Sequence, residues 1–366
     1  MATTATMQPA SGRPNSSQGF VRWARANLFN SVSNSIITVV VGGLVLWLLS
    51  GLIKWGIIDA VWVAPNMRAC QTEGTGACWA FVAEKWRFIL FGRFPYDSQW
   101  RPALVTVLLF GLTGASFVPK LWRRETAYAW VAAIVVSAIL MYGGVLGLDY
   151  VPSDLWSGLP LTLILSLLSM ILGFPLAVLL ALGRRSNLPI IKFFCTAAIE
   201  VMRGVPLITV LFMASLMLPL FLPPGFTVDK QLRALVAITL FLAAYQAEDV
   251  RAGLMALPKG QFEAADALGL SFWRKTKSIV LPQAITIVIP PLVGNLIGNF
   301  KNTSLVSIIS LLDLMQTTQV ALIDPNWRGL TSEAYLFLGA IYFVACFAMS
   351  RYSQWLEIRL NKGKRR

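Results

Sequence analysis

Apolar stretches recur along the chain at about 34–53, 103–118, 127–148, 158–182, 193–222, 233–250, 285–312 and 334–350. Each is of the order of the roughly 20 residues that carry a helix across a hydrocarbon core. The pattern predicts an all-α polytopic membrane protein with about eight transmembrane helices. Polar connections divide it into four parts. A tail and interfacial segment covers 1–33, an extension with three helices and one long loop (54–102) covers 34–154, a five-helix core covers 155–350, and a basic tail covers 351–366. Residues 1–18 are rich in Ser, Thr, Pro and Gly with Arg13 as their only charge, and read as disordered. From Phe20 to Phe29, Arg22 and Arg25 are interleaved with Val21, Trp23 and Leu28, the pattern of a segment lying in the membrane interface. No short apolar core with a small-residue cleavage site follows, so a removed signal peptide is not expected.

Composition agrees with a lipid environment: 56% of residues are hydrophobic and 13% charged, against about a quarter charged in soluble domains. Histidine is absent, which removes the commonest general base and metal ligand. The net charge of +14 would suggest nucleic acid for a soluble protein. Here it reads as loop charge, and no nucleic-acid partner is expected. With the N-terminus inside, the cytoplasmic segments carry 20 Lys and Arg and the outer segments 9, so the positive-inside rule places both termini in the cytoplasm. The six basic residues of the outer loop 54–102 run against that rule.

The same loop holds Cys70 and Cys78 around Thr72, Gly74, Thr75 and Gly76. A Gly-rich turn can bring two such cysteines within bonding range, and the outer compartment is oxidising. A disulfide is the expectation and two unlinked cysteines the alternative. Cys195 and Cys346 lie in apolar runs and read as core residues; no metal site is expected.

The densest signal is at 263–282. Pro258 suits the first turn of a short helix that places Phe262, Ala265 and Leu268 on one face, and Gly269 can end it with positive φ. Ser271 can cap a second helix with Phe272, Thr276 and Ile279 on a common side, which Pro282 then breaks. Two readings follow from spacing alone: an apolar knob ringed by Arg274, Lys275 and Lys277 that plugs a groove on a soluble partner, or a hairpin whose basic flank meets anionic headgroups.

Residues Glu263-Ala264-Ala265, Gly269, Ile279 and Leu281-Pro282 match at every defined position the signature EAA---G---------I-LP. That signature marks membrane subunits of bacterial ATP-binding cassette (ABC) importers. Glu200-Val201-Met202-Arg203-Gly204-Val205-Pro206, Ala244-Tyr245-Gln246-Ala247-Glu248-Asp249-Val250-Arg251 and Lys301-Asn302-Thr303-Ser304-Leu305 resemble the polar amino acid (histidine/glutamine/arginine) permease branch. The resemblance covers roughly 155–360. With the extension over 1–154, the chain looks like the M-type permease of general L-amino acid transport systems.

The resemblance implies an inner-membrane importer subunit of a heterodimeric pore that moves L-amino acids by alternating access. Two copies of a cytoplasmic ATPase beneath it would bind ATP and Mg, and a periplasmic amino acid-binding protein would deliver substrate. Phe262, Glu263, Ala264, Ala265, Leu268, Gly269, Ile279, Leu281 and Pro282 would form the ATPase-docking loop. A phosphate-cradling loop needs Gly-Lys followed by Ser or Thr; the one Gly-Lys pair, Gly363-Lys364, precedes Arg365. Neither a cofactor nor enzymatic chemistry is expected in this chain.

Charges inside apolar runs need partners or water. Glu200 and Arg203, at i and i+3, can neutralise each other or bind the ammonium and carboxylate of an amino acid. Tyr245 and Glu248 lie in the next motif. Pro290-Pro291 is expected to interrupt or kink the seventh helix. Beyond it Asn295, Asn299 and Asn302 form a polar stripe beside Gly294, Gly298 and Lys301, and the expectation is an aqueous cavity rather than a protein interface. With Thr303 and Ser304, these are the candidate substrate residues. The family usually has Asp at the place of Asn302, so a carboxylate at that level would come from the partner subunit. The competing function is an ion-coupled secondary transporter, with Glu200 or Glu248 relaying protons; a membrane enzyme finds no support.

Overall fold

Backbone polar groups in hydrocarbon must be paired within their own segment, which favours helices for every apolar run. The computed structural model describes residues 20–362, apart from 71, 73, 74, 119, 120 and 122. The tail predicted over 1–18 and the Gly363-Lys364 pair lie outside the described residues. Among the described residues every extended element is helical, with two isolated bridges, Val61 with Cys78 and Gly158 with Asp313.

The helices are α1 (Phe20–Asn27), α2 (Val32–Ile53), α3 (Met67–Cys70), α4 (Ala80–Phe91), α5 (Trp100–Ser116) and α6 (Arg124–Tyr142). They continue with α7 (Gly158–Arg184), α8 (Pro189–Gly204), α9 (Leu207–Phe212), α10 (Lys230–Met255) and α11 (Lys259–Ala267). The last are α12 (Phe272–Lys275), α13 (Leu281–Asn302), α14 (Leu314–Ala321) and α15 (Thr331–Lys362). By internal packing the chain divides into two units, one ending at Trp62 and including Cys70–Cys78, the other holding Val63–Ala69 and everything from Trp79. No division falls at 154/155, because α4, α5 and α6 pack into the same unit as the helices that follow them.

Among the described residues, five helical runs are long and apolar enough to cross a membrane: Val32–Ile58, Arg124–Tyr142, Gly158–Arg184, Phe272–Ile309 and Thr331–Arg359. The run expected over 193–222 is instead a pair, Pro189–Gly204 and Leu207–Phe221, bent by 104°. Pro206 explains the break: it removes a donor and pushes Val205 into extended backbone (φ −101°, ψ 134°). Counting the pair as one gives six candidates rather than eight. α5 has 17 residues, about 26 Å at 1.5 Å each, and α10 carries Lys230, Arg233, Glu248, Asp249 and Arg251.

In the first unit, Ser31 caps α2 by accepting from the Asn34 N–H, and no residue of α2 is buried. Cys70 and Cys78 are bonded, with Cα atoms 5.8 Å apart, and the Thr75 hydroxyl donates to Cys70 O at 2.6 Å.

In the second unit α7 is central. Alanine and glycine let its neighbours approach closely: Ala177, Ala181, Ala247 and Ala284 are all buried in one cluster with Ile199, Val250 and Leu254. A Cβ on Gly253 of α10 would lie 2.5 Å from Val288 Cγ1 of α13, and one on Gly183 would lie 2.3 Å from Cys195 Sγ of α8. The extension segment is tied to α14 and to the start of α7. The C-terminal carbonyls of α4, which have no intrahelical partners, accept from hydroxyls: Thr317 Oγ1 to Ile89 O at 2.7 Å and Ser157 Oγ to Phe91 O at 3.0 Å. Arg101 is 1% exposed and donates to the carbonyls of Leu140, Met141 and Asp149. Asp313, also fully buried, caps α14 by accepting from the Gln316 and Met315 N–H groups at 3.0 and 3.2 Å. Burial pushes its carboxyl up to about 7.

Candidate functional site

The connection between α10 and α13 is an elbow. Pro258 precedes α11, Gly269 takes φ +67° with open space around it, and Ser271 precedes α12. An L side chain in that left-handed backbone is strained. The Asp266 carboxylate and Lys275 Nζ lie 2.5 Å apart and tie α11 to α12. Pro282 does not break the second helix. A π-turn over Thr276–Val280 carries α12 into α13, and Pro282 stands as the second residue of α13 inside that continuous run.

The face expected to project is divided. Ala265 is buried, and Phe262 packs on the cluster of Ala177, Ile199 and Val250, with the Arg185 guanidinium 5.7 Å over its ring. These two residues anchor the elbow to its own helices. Leu268, Phe272 and Trp273 form the apolar tip at 76%, 55% and 67% exposure. Glu263, Ala264 and Pro282 are exposed, while Ile279 and Leu281 are half-buried.

The charges inside the bundle converge on Glu248. Arg184, the last residue of α7, donates Nη1 to Glu248 Oε1 at 2.5 Å and Nη2 to Glu200 Oε1 at 2.7 Å. Arg251 Nη2 reaches Glu248 Oε2 at 2.8 Å, and Arg203 Nη1 stands 3.8 Å from the same oxygen. Glu200 and Arg203 therefore do not neutralise each other as the i, i+3 spacing allowed. Arg203 leans instead over the Tyr245 ring at 5.6 Å, and Glu200 turns to α7. Beside this node Asn295 Nδ2 donates to Asp249 Oδ2 at 2.5 Å, joining α13 to α10.

α13 runs unbroken through Pro290 and Pro291, its Ala284, Val288 and Leu292 buried; packing on neighbouring helices holds such a segment together despite the lost bonds. Its polar residues do not share one outlook. Asn299 is buried and donates to Ser166 O and Ser169 Oγ of α7 at 2.9 and 2.8 Å. Thr303 is buried and donates to Phe300 O. Asn299 thus departs from the expected cavity stripe, because α13 packs against α7 there, and Thr303, in the turn that follows α13, is covered as well. Lys301 and Asn302 are exposed, and the Ser304 hydroxyl donates to Lys301 O. A Cβ at Gly294 or Gly298 would meet nothing within 4 Å, so among the described residues nothing packs closely on that face.

The structure thus brings together Glu200, Arg203, Tyr245, Glu248 and Asn295, and sets Lys301 and Asn302 at the end of α13 with Ser304 in the turn beyond it. The roles of Arg184, Asp249 and Arg251 leave no signal in the sequence: Arg184 follows the apolar run 158–182 and reads as a connection charge, and the other two stand inside a motif whose spacing does not reveal their partners.

Residues 173–362 match the family model of the binding-protein-dependent transport system inner membrane component. The chain belongs to that family. The permease is 45% identical to the inner membrane amino-acid ABC transporter permease protein YhdY of Escherichia coli K12, over 97% of each chain. It is 37% identical to the glutamate/glutamine/aspartate/asparagine transport system permease protein BztC of Rhodobacter capsulatus, over 96% of each. It is 34% identical to the glutamate/aspartate import permease protein GltK of Escherichia coli O157:H7, over 56% of this chain and 92% of that one. The elbow and every member of the Glu248 node lie within the matched part of the permease; the disulfide and α4 lie before it.

Proposed function

We propose that this permease is the transmembrane subunit of an ATP-driven importer that moves L-amino acids from periplasm to cytoplasm by alternating access. The observation that carries this reading is the elbow. Leu268, Phe272 and Trp273 hold apolar surface away from the bundle on a base fixed by Phe262, Ala265 and the Asp266–Lys275 pair, the anatomy of a docking tip for a separate ATPase. An ion-coupled carrier has no use for such a surface. Both termini then face the cytoplasm, and ATP and Mg belong to two partner ATPase chains. The open Gly294–Gly298 face of α13 supports pairing with a second permease subunit, and the names of the relatives support amino acids as cargo.

Substrate would pass beside Arg203, Tyr245, Asp249 and Asn295, with Lys301 and Asn302 at the end of α13 and Ser304 in the turn beyond it. Asn302 carries no charge, so the partner subunit or the periplasmic binding protein's delivery geometry sets how the ammonium is met. The test of the coupling role is co-purification of the ATPase chain with Trp273→Glu, Leu268→Glu and Gly269→Pro. Loss of the ATPase from permease that still inserts is the expected result. Undiminished association in all three would refute the docking assignment.

A further inference from the structure

Arg93, Asp154, Asp229 and Lys230 line one hollow of about 540 Å³. Arg93 follows α4, Asp154 precedes α7, and Asp229 with Lys230 begins α10, so three separate segments bring two bases and two acids to one place. Among the described residues no ion pair engages any of the four. The contrast is the cleft beside α4, where Lys85 and Asp324 stand 2.6 Å apart and neutralise each other. Opposite charges held around a hollow of ordinary small-molecule size, without satisfying one another, are complementary to a ligand carrying both signs.

Asp229 is held in place before any ligand arrives. Its Oδ2 accepts from Ser153 Oγ at 2.9 Å and from Tyr142 OH at 3.3 Å, and the Tyr142 ring lies against Trp156. A preset carboxylate lowers the ordering cost of binding. Ser310 lines the same hollow with φ +60°, a left-handed backbone that side chains rarely adopt. It ends the 3-10 turn Thr303–Ile309, so the hollow adjoins the far end of the segment that begins at Lys301–Ser304.

We propose that this hollow is an outer holding site for a zwitterionic α-amino acid, its carboxylate toward Arg93 and Lys230 and its ammonium toward Asp154 and Asp229. The proposal rests on the importer reading and adds to it an earlier stop, on the side away from the elbow. The charge pairs recognise the two backbone groups shared by all α-amino acids and leave the side chain unread. Broad cargo tolerance follows at this stage.

The test uses the complete assembly in nanodiscs, without the binding protein, and tritiated L-glutamine as probe. Asp154→Asn, Arg93→Gln and Lys230→Gln change side chains in no ion pair among the described residues, Asp154 and Arg93 exposed and Lys230 half-buried; each is expected to raise Kd about tenfold, equivalent to 1.4 kcal/mol. N-acetyl-L-glutamine and L-glutamine amide, each lacking one charge, are expected not to compete. Wild-type binding in all three variants overturns the proposal, as does the absence of L-glutamine binding to the wild-type assembly. Normal L-glutamine binding with weakened attachment of the binding protein also overturns it, and would assign the four charges to a protein contact. ATP-driven uptake by wild-type proteoliposomes keeps the two readings apart. Its absence would remove the importer function itself, whereas uptake that the variants leave unchanged removes only the holding site.

Discussion

Removing the negative centre of the charge node should cost more than removing Arg184 and far more than removing Glu200. Glu248 has a side chain 16% exposed and faces Arg184, Arg251 and Arg203 at 2.5, 2.8 and 3.8 Å. Glu248→Gln leaves three guanidiniums around a neutral amide. Breaking a buried pair by deleting one partner costs about 3–5 kcal/mol. Arg184→Gln removes one charge-assisted bond to Glu248, about 1.5–3 kcal/mol, but Arg251 and Arg203 still neutralise that carboxylate. Glu200→Gln touches a side chain 54% exposed, and such pairs contribute about 0.2–1 kcal/mol. For a chain of 366 residues, an unfolding entropy near 2.1 cal/mol/K per residue converts 1 kcal/mol to about 1.3 °C in Tm. The expected losses are therefore about 4–7 °C for Glu248→Gln, about 2–4 °C for Arg184→Gln and about 1 °C or less for Glu200→Gln. Fluorescence-detected size-exclusion after heating, in one detergent, measures all three. Equal losses at Glu200 and Glu248, or a larger one at Glu200, would refute the hub geometry.

Arg101→Met keeps the bulk of a buried side chain but leaves the carbonyls of Leu140, Met141 and Asp149 without its guanidinium; a loss of about 2–4 kcal/mol is expected, and a melting temperature within 1 °C of wild type would argue against the cap. Asp313 gives a pH dependence of definite sign. Its carboxyl titrates near 7 in the fold, above the ordinary 3.8, so the folded state holds the extra proton and stability is full below the ordinary value and declines as pH rises through 7. Asp313→Asn should flatten the stability profile between pH 5 and 8, and an unchanged slope would count against burial as the cause.

The helical class and the positions of the apolar runs were legible because hydrocarbon permits few alternatives. The elbow was legible for a different reason: its stops act through local backbone geometry, and Gly269 takes the positive φ expected of it, while Pro258 and Ser271 stand just before their helices and Ser271 makes no side-chain capping bond. Pro206 carried its signal as well, since the residue before a proline avoids the helical region. Three features depended on neighbours distant in sequence. Phe262 and Ala265 share a helical face with Leu268, yet two are covered and one is bare, which only the position of α7 and α10 decides. Asn299 looks like a cavity residue until Ser166 and Ser169 appear opposite it, 133 and 130 positions earlier. Arg184 stands at a helix end, where a basic residue normally marks only the water side of a membrane. Its reach to Glu248, 64 positions on, leaves no periodic trace.

The hydroxyls of Ser157 and Thr317 that finish α4 have a consequence for anyone wishing to trim this protein to the length of GltK. Beginning the chain at the start of α7 would strip away Phe81 and Ile89, both without exposed surface, and uncover the side of α14 that they shelter. Thr317 would lose the carbonyl it serves, and an apolar seam would open along α14. The appended segment behaves as a keystone, and a shortened version would need new polar residues along that seam to stay dispersed.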